Sequence, residues 1–121
     1  MIWLLAIAKP TPTLTRPRSP IEMRPLMPMQ TIEATRICAR YPQAHGTPIH
    51  FGDPVAIGIA DINKPDYGDA VTIKPGEQPV FWACGVTPQA VALASKPSFM
   101  ITHSPGHMFI TDLPNHALAA I

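Results

Sequence analysis

Apolar residues in this chain come in short runs, each closed by proline or glycine. The clearest is VFWAC at residues 80–84, between Pro79 and Gly85. A run this short and this apolar predicts a buried strand. Gly85 then frees the backbone to turn. Thr87 is a good N-cap, Pro88 suits a first helical position, and residues 89–95 form a short helix. A second pattern lies upstream. Ala34, Ile37, Cys38 and Tyr41 recur at helical spacing, which predicts a helix over residues 28–41 with these four facing the core. Glu33, Arg36 and Arg40 fall on the opposite face, with Glu33 placed to pair with Arg36. Cys38 is thereby assigned to packing.

The remaining segments are weaker. Residues 21–23 begin a strand that Pro25 should end. Residues 49–51 make a short strand. Asp53 and Pro54 open a helix as cap and first residue. Residues 55–59 read equally as one helical turn or a short apolar strand. Residues 70–73 alternate as a strand, and the PGEQ turn at 75–78 would join them to the central strand as a hairpin. Residues 99–102 and 108–111 predict two further strands around the HSPGH loop, and residues 113–121 form a tail. Residues 9–20 alternate proline with small polar residues. They are expected to be extended or disordered, with an edge strand through residues 13–15 as the alternative. The division expected is a proline-rich N-terminus over residues 1–20 and a domain over residues 21–121. Its class is α/β, a mixed sheet with short helices.

Composition narrows this picture. The 121 residues allow one domain with a modest core. Sixteen prolines keep helices short and loops numerous. The net charge of +1 and the dispersal of the N-terminal cations among prolines argue against nucleic acid as a partner. Two cysteines are too few for a disulfide framework and fit a reducing, cytoplasmic setting. The apolar start, residues 2–8, is far short of the roughly 18–20 residues of a membrane span. No membrane partner is expected.

Chemistry concentrates at the strand ends. Cys84 stands where the central strand meets the next helix. In α/β proteins ligands bind at such carboxyl ends, against exposed helix amides. Gly85, Thr87 and Gln89 would then hold a carboxylate, phosphate or oxyanion. The competing reading is a well-capped junction with a buried thiol. His45 and His50 lie in Gly/Pro loops, and His103 and His107 flank Pro105-Gly106. These spacings are not helical, so the two pairs lack the geometry of a zinc site. No metal or cofactor is expected. Acid–base use fits better, since imidazole titrates near neutrality. Asp53 and Asp112 could orient an imidazole or cap local backbone. A phosphate loop and a serine nucleophile elbow are both absent from the sequence.

PVFWACGVTPQAV, together with HGTPIHFGDPVAIGIAD upstream and ITHSPGHMFITDL downstream, resembles the hydro-lyase family also called the D-glutamate cyclase family. The resemblance runs from about Ile21 to about Ala119. It implies a layered α/β domain with a smaller α+β part. It also implies cyclisation of D-glutamate to 5-oxoproline with loss of water, on a small carboxylate substrate. Under it, Cys84 or a nearby histidine is the base and His45, His50 or His103 the acid. Gly85, Thr87, Gln89, Asp53 and His107 would bind substrate. Members of the family are much longer, and the matched part is their C-terminal portion. The expectation is therefore a truncated member with an unrelated N-terminus. The alternatives are an inactive fragment and a small carboxylate-binding module. A sheet left open in this way tends to recruit a partner, a second copy included.

Overall fold

The computed structural model describes residues 21–102, 104, 107 and 110–120. The expectations for residues 1–20, and for His103, lie outside them. A three-stranded sheet of order β1-β3-β2 forms the centre, from β1 (Ile21–Leu26), β2 (His50–Phe51) and β3 (Gln78–Ala83). Helix α1 (Pro28–Cys38) follows β1, and α2 (Val86–Ser95) follows β3. Single 3-10 turns occupy Pro54–Ile57 and Asn115–Leu118. Sheet and helices together place the chain in the α/β class, and both ladders are antiparallel. Among the described residues no helix is long and apolar enough to cross a membrane.

The central strand is the apolar run that the sequence marks out. Val80 and Phe81 are fully buried and Trp82 is 6% exposed. Contrary to expectation, Pro25 does not end β1. It sits directly opposite Pro79 in the ladder. The carbonyls of Pro79 and Phe81 accept from Gly52 and Ile49, on the β2 side. Residues 79 and 81 therefore turn their backbone groups away from β1. The Pro25–Pro79 pair is a non-hydrogen-bonded one, so neither missing N–H interrupts the β1–β3 ladder. That is the position in which an edge strand tolerates proline.

Side chains alternate across the sheet. One face carries Gln78, Val80 and Trp82 with their partners Leu26, Arg24 and Glu22. The other carries Pro79, Phe81 and Ala83 with Pro25, Met23, Ile21 and, from β2, His50. Helix α1 lies on the side of the first face and reaches it at Gln78, whose side-chain amide donates to the Thr31 hydroxyl at 3.3 Å.

The inward stripe of α1 differs from the one expected. Thr31 is buried, with Ala34, Thr35 and Cys38 partly so, whereas Ile37 is half exposed. The two threonines face inward without loss because each hydroxyl donates to a carbonyl four residues back. Thr31 donates to Met27 at 3.2 Å and Thr35 to Thr31 at 2.7 Å. Gln30 closes the N-terminus by accepting from the Met27 amide at 2.9 Å, and Pro28 holds the first helical position. Glu33 and Arg36 pair at 3.0 Å as expected. The hydrogen bond to Glu33, and then its charge, raise the Arg36 guanidinium above its ordinary value.

Other expected strands are not formed. Residues 70–73 and 99–102 are irregular, so no hairpin precedes β3. Residues 110 and 111 are also irregular, and the rest of that segment is not described. Strand propensity alone did not order these segments, because among the described residues no neighbouring strand completes a ladder with them. The tail does more than expected. Leu118 is 5% exposed, and the Ala120 amide donates to Arg40 at 2.7 Å, tying the tail to the end of α1.

Asp53 caps its turn as read from sequence. Its carboxylate accepts from the Val55 amide at 2.9 Å, with Pro54 next. Asp53→Ala should cost about 1 kcal/mol, the ordinary value of such a cap. Chemical denaturation will show it as a lowered midpoint at unchanged slope, and Asp53→Asn should recover most of the loss.

Candidate functional site

Two regions hold the chemistry-bearing side chains. The first is the turn between β3 and α2. Gly85 is buried and Cys84 half buried. Helix α2 begins earlier than predicted, at Val86, with Gly85 in the capping position. Thr87 therefore lies inside the first turn. Its hydroxyl reaches back to accept from the Cys84 amide at 3.2 Å. The Thr87 amide donates to Cys84 at 3.1 Å, and the Gln89 amide to Gly85 at 3.4 Å. Pro88 has no N–H. Of the backbone donors at residues 84–89, only those of Gly85 and Val86 are not taken up by these bonds.

The second region is a cleft between the sheet and α1. Its larger part, about 690 Å³, is lined by Glu22, Arg24, Leu26, Ala34, Val71 and Trp82 among others. A smaller part of about 180 Å³ is lined by Glu22, Arg24, Cys38, His45 and Trp82. The shared lining by Glu22, Arg24 and Trp82 makes the two one continuous hollow. A volume of this order suits a small ligand. Register explains the grouping: Glu22 faces Trp82 and Arg24 faces Val80 across the ladder, so both charged side chains rise from the same face as Trp82 and remain open to solvent. They pair with each other, Arg24 Nε to Glu22 Oε1 at 2.8 Å. Beneath them the Trp82 indole Nε1 is buried and has no hydrogen-bond partner among the described residues. A buried donor left unpaired costs roughly 1–3 kcal/mol.

His45 enters this cleft and His50 does not. The His45 ring stands edge-on to Trp82, centroids 6.0 Å apart. The His50 ring lies against Phe81 at 5.8 Å. Phe81 and Trp82 are consecutive on β3 and point to opposite faces, so the two histidines sit on opposite sides of the sheet. Hydrogen bonds set their tautomers, since a carbonyl only accepts. His45 Nδ1–H donates to Gly46 at 2.9 Å, leaving Nε2 as the basic nitrogen of the neutral ring. His50 Nε2–H donates to Asp53 at 2.8 Å, leaving Nδ1. Asp53 is exposed and engaged in its cap. His107 is exposed, its amide bonded to Ser104. Among the described residues no group of three or more His, Cys, Asp or Glu is arranged to hold a metal ion.

Sequence reasoning therefore named His45 but missed Glu22, Arg24 and Trp82 as its neighbours. The alternation E-x-R in β1 was the available signal. It became readable only once β1 was known to run through Pro25 and pair with β3.

Comparison with known proteins gives this geometry its context. The family model for D-glutamate cyclase matches residues 8–112. A protein of Bordetella petrii named "putative hydro-lyase" is 59% identical over 101 residues, covering 84% of this chain and 38% of its own. One of the same name from Thermoanaerobacter sp. (strain X514) is 62% identical over 99 residues, covering 82% and 37%. A third, from Mycolicibacterium gilvum, is 61% identical over 98 residues, covering 81% and 37%. The chain spans less than two fifths of the length of these curated relatives. The match begins at residue 8, ahead of Ile21, where the resemblance in the sequence starts. With the matched span taking in both the cleft and the β3–α2 turn, the chain belongs to the D-glutamate cyclase family.

Proposed function

We propose that this chain carries the amino-acid-holding part of a carbon–oxygen lyase that converts D-glutamate to 5-oxoproline and water. The observation that carries the reading is the cleft on Trp82, which sets a guanidinium, a carboxylate and a basic imidazole nitrogen around one hollow. An amino acid presents the complementary groups. Arg24 takes its α-carboxylate and Glu22 its ammonium, the two exchanging their mutual pair for the substrate's charges. His45 Nε2 accepts a proton from the ammonium. The freed amine attacks the side-chain carboxyl carbon and the new C–N bond closes the ring. One carboxyl oxygen departs as water, taking up the two protons lost from nitrogen. The acid that protonates that oxygen is Cys84 or the returned proton on His45, and the Gly85 and Val86 amides steady the oxyanion.

The test is formation of 5-oxoproline from D-glutamate, followed by NMR. It is run on the chain alone and on a chimaera in which residues 21–119 replace the matched segment of the Thermoanaerobacter relative. In the assembly that turns over, Arg24→Gln should raise KM about 10- to 100-fold, the worth of one charge-assisted bond. An unchanged KM would remove Arg24 from the site. A second reading is that the chain alone binds a carboxylate without turning it over. It is favoured by the share of the relatives' length that the chain spans. Binding by the chain together with turnover by the chimaera alone would establish it. Silence from both would count against D-glutamate as the substrate.

A further inference from the structure

The Glu22 carboxylate is held at one oxygen. Arg24 Nε and Nη2 both donate to Oε1, at 2.8 and 2.6 Å, and Oε2 accepts nothing among the described residues. Directly across the ladder stands Trp82. It is 6% exposed, and its buried Nε1 has no hydrogen-bond partner among the described residues. A buried N–H without an acceptor is costly, whereas an exposed ion pair contributes little. Glu22 and Arg24 are such a pair, with side chains 40% and 67% exposed. One carboxylate thus stands beside two donors, and it serves the one that water can also reach.

Register brings the second donor within reach. Residues 79 and 81 direct their carbonyls to the β2 side, so Trp82 turns its backbone groups toward β1 and forms a hydrogen-bonded pair with Glu22. The side chains of such a pair rise from one face with Cβ atoms about 5.5 Å apart. Indole and carboxylate both extend beyond Cβ, so rotation about the Glu22 side-chain bonds spans the gap with no change in the strand. We infer that Glu22 is shared between Arg24 and the Trp82 indole: when Arg24 is drawn to an anion, the carboxylate turns and accepts from Nε1. Trp82 is then a positioning residue. It holds Glu22 by one oxygen and leaves the other for the ligand's ammonium. The part given to a ligand rests on the amino-acid reading above; the second position of the carboxylate does not.

The indole N–H resonance tests this. The chain has two tryptophans, Trp3 and Trp82, so Trp3→Phe leaves a single indole signal in a proton–nitrogen correlation spectrum of the full chain. In that background Arg24→Met and Arg24→Ala each remove the guanidinium and bring no acceptor of their own. The residue is largely exposed, and the amide signals of the same spectrum check that the fold is kept. Both variants should move the Trp82 signal downfield, as a new hydrogen bond does, and adding Glu22→Ala should return it. No downfield shift in either variant overturns the inference. So does a shift that survives Glu22→Ala, which assigns the acceptor to another group, His45 Nε2 being the basic atom of the ring beside this indole. D-glutamate and glutarate, which lacks the amino group, are then titrated into the Trp3→Phe chain. A downfield shift lost with Glu22→Ala supports the move on binding. A ligand shift that survives Glu22→Ala overturns it, since the indole then meets the ligand itself. If the Arg24 variants shift the signal and neither acid does, the shared carboxylate stands and the result counts against the amino-acid reading instead.

Discussion

Phe81→Ala will lower the melting temperature of this chain more than any exposed substitution. Phe81 has no exposed surface, sits at the middle of β3, and pairs with Met23 on one side and His50 on the other. Truncating a buried phenylalanine costs about 3–5 kcal/mol, part in lost transfer energy and part in the cavity left behind. A domain of this size has about 5–15 kcal/mol in total. Among the described residues the buried apolar side chains are only Val80, Phe81, Trp82 and Leu118, which places this chain at the low end. The expected drop in Tm exceeds about 12 °C. Phe99→Ala removes the same group from a side chain 80% exposed and should change stability by less than about 0.5 kcal/mol. Calorimetry on the two variants checks the contrast. Equal effects would mean that β3 is not the centre of the core.

His45→Ala should have the largest effect on turnover, about 10²- to 10⁴-fold in kcat, as loss of a general base does. The measurement is made in whichever assembly forms 5-oxoproline. His50→Ala is the informative comparison. The two histidines are alike in the sequence, each in a Gly/Pro loop five residues from the other. They differ in the face they occupy, His45 on Trp82 and His50 on Phe81. His50→Ala should therefore leave kcat within about tenfold of the parent, a change of roughly 1.4 kcal/mol or less in the barrier. The reverse result, with His50 essential and His45 dispensable, would move the reacting face to the Phe81 side. Thermal denaturation of both variants separates loss of chemistry from loss of fold.

Much of the local structure could be read directly. The VFWAC run is the buried strand, because a short apolar segment between breakers has few alternatives. Asp53-Pro54 is a capped turn, and Glu33 pairs with Arg36, because both depend only on neighbours in sequence. The family was also legible in three blocks of residues. Pairing was harder to read. Proline at residue 25 looked like a strand end, and only the position of Pro79 opposite it shows why β1 continues. Residues 70–73 and 99–102 carry strand-like patterns but join no ladder among the described residues.

The order of residues along the chain by itself determined the Asp53 cap, the Glu33–Arg36 pair and which strand lies deepest. These are local matters of φ preference, hydrogen-bond competition and apolar content. The tertiary structure alone decided which residues share a site. Register against β3 lifts Glu22 and Arg24 beside Trp82, and the two-residue period of the strand sends His45 and His50 to opposite faces. It also decided that α1 turns its threonines inward and its isoleucines outward, against the hydrophobic pattern of the helix. The physical reason is that facing is set by what packs against each side. Thr31 and Thr35 satisfy their own hydroxyls within the helix, so they face inward without an unpaired donor.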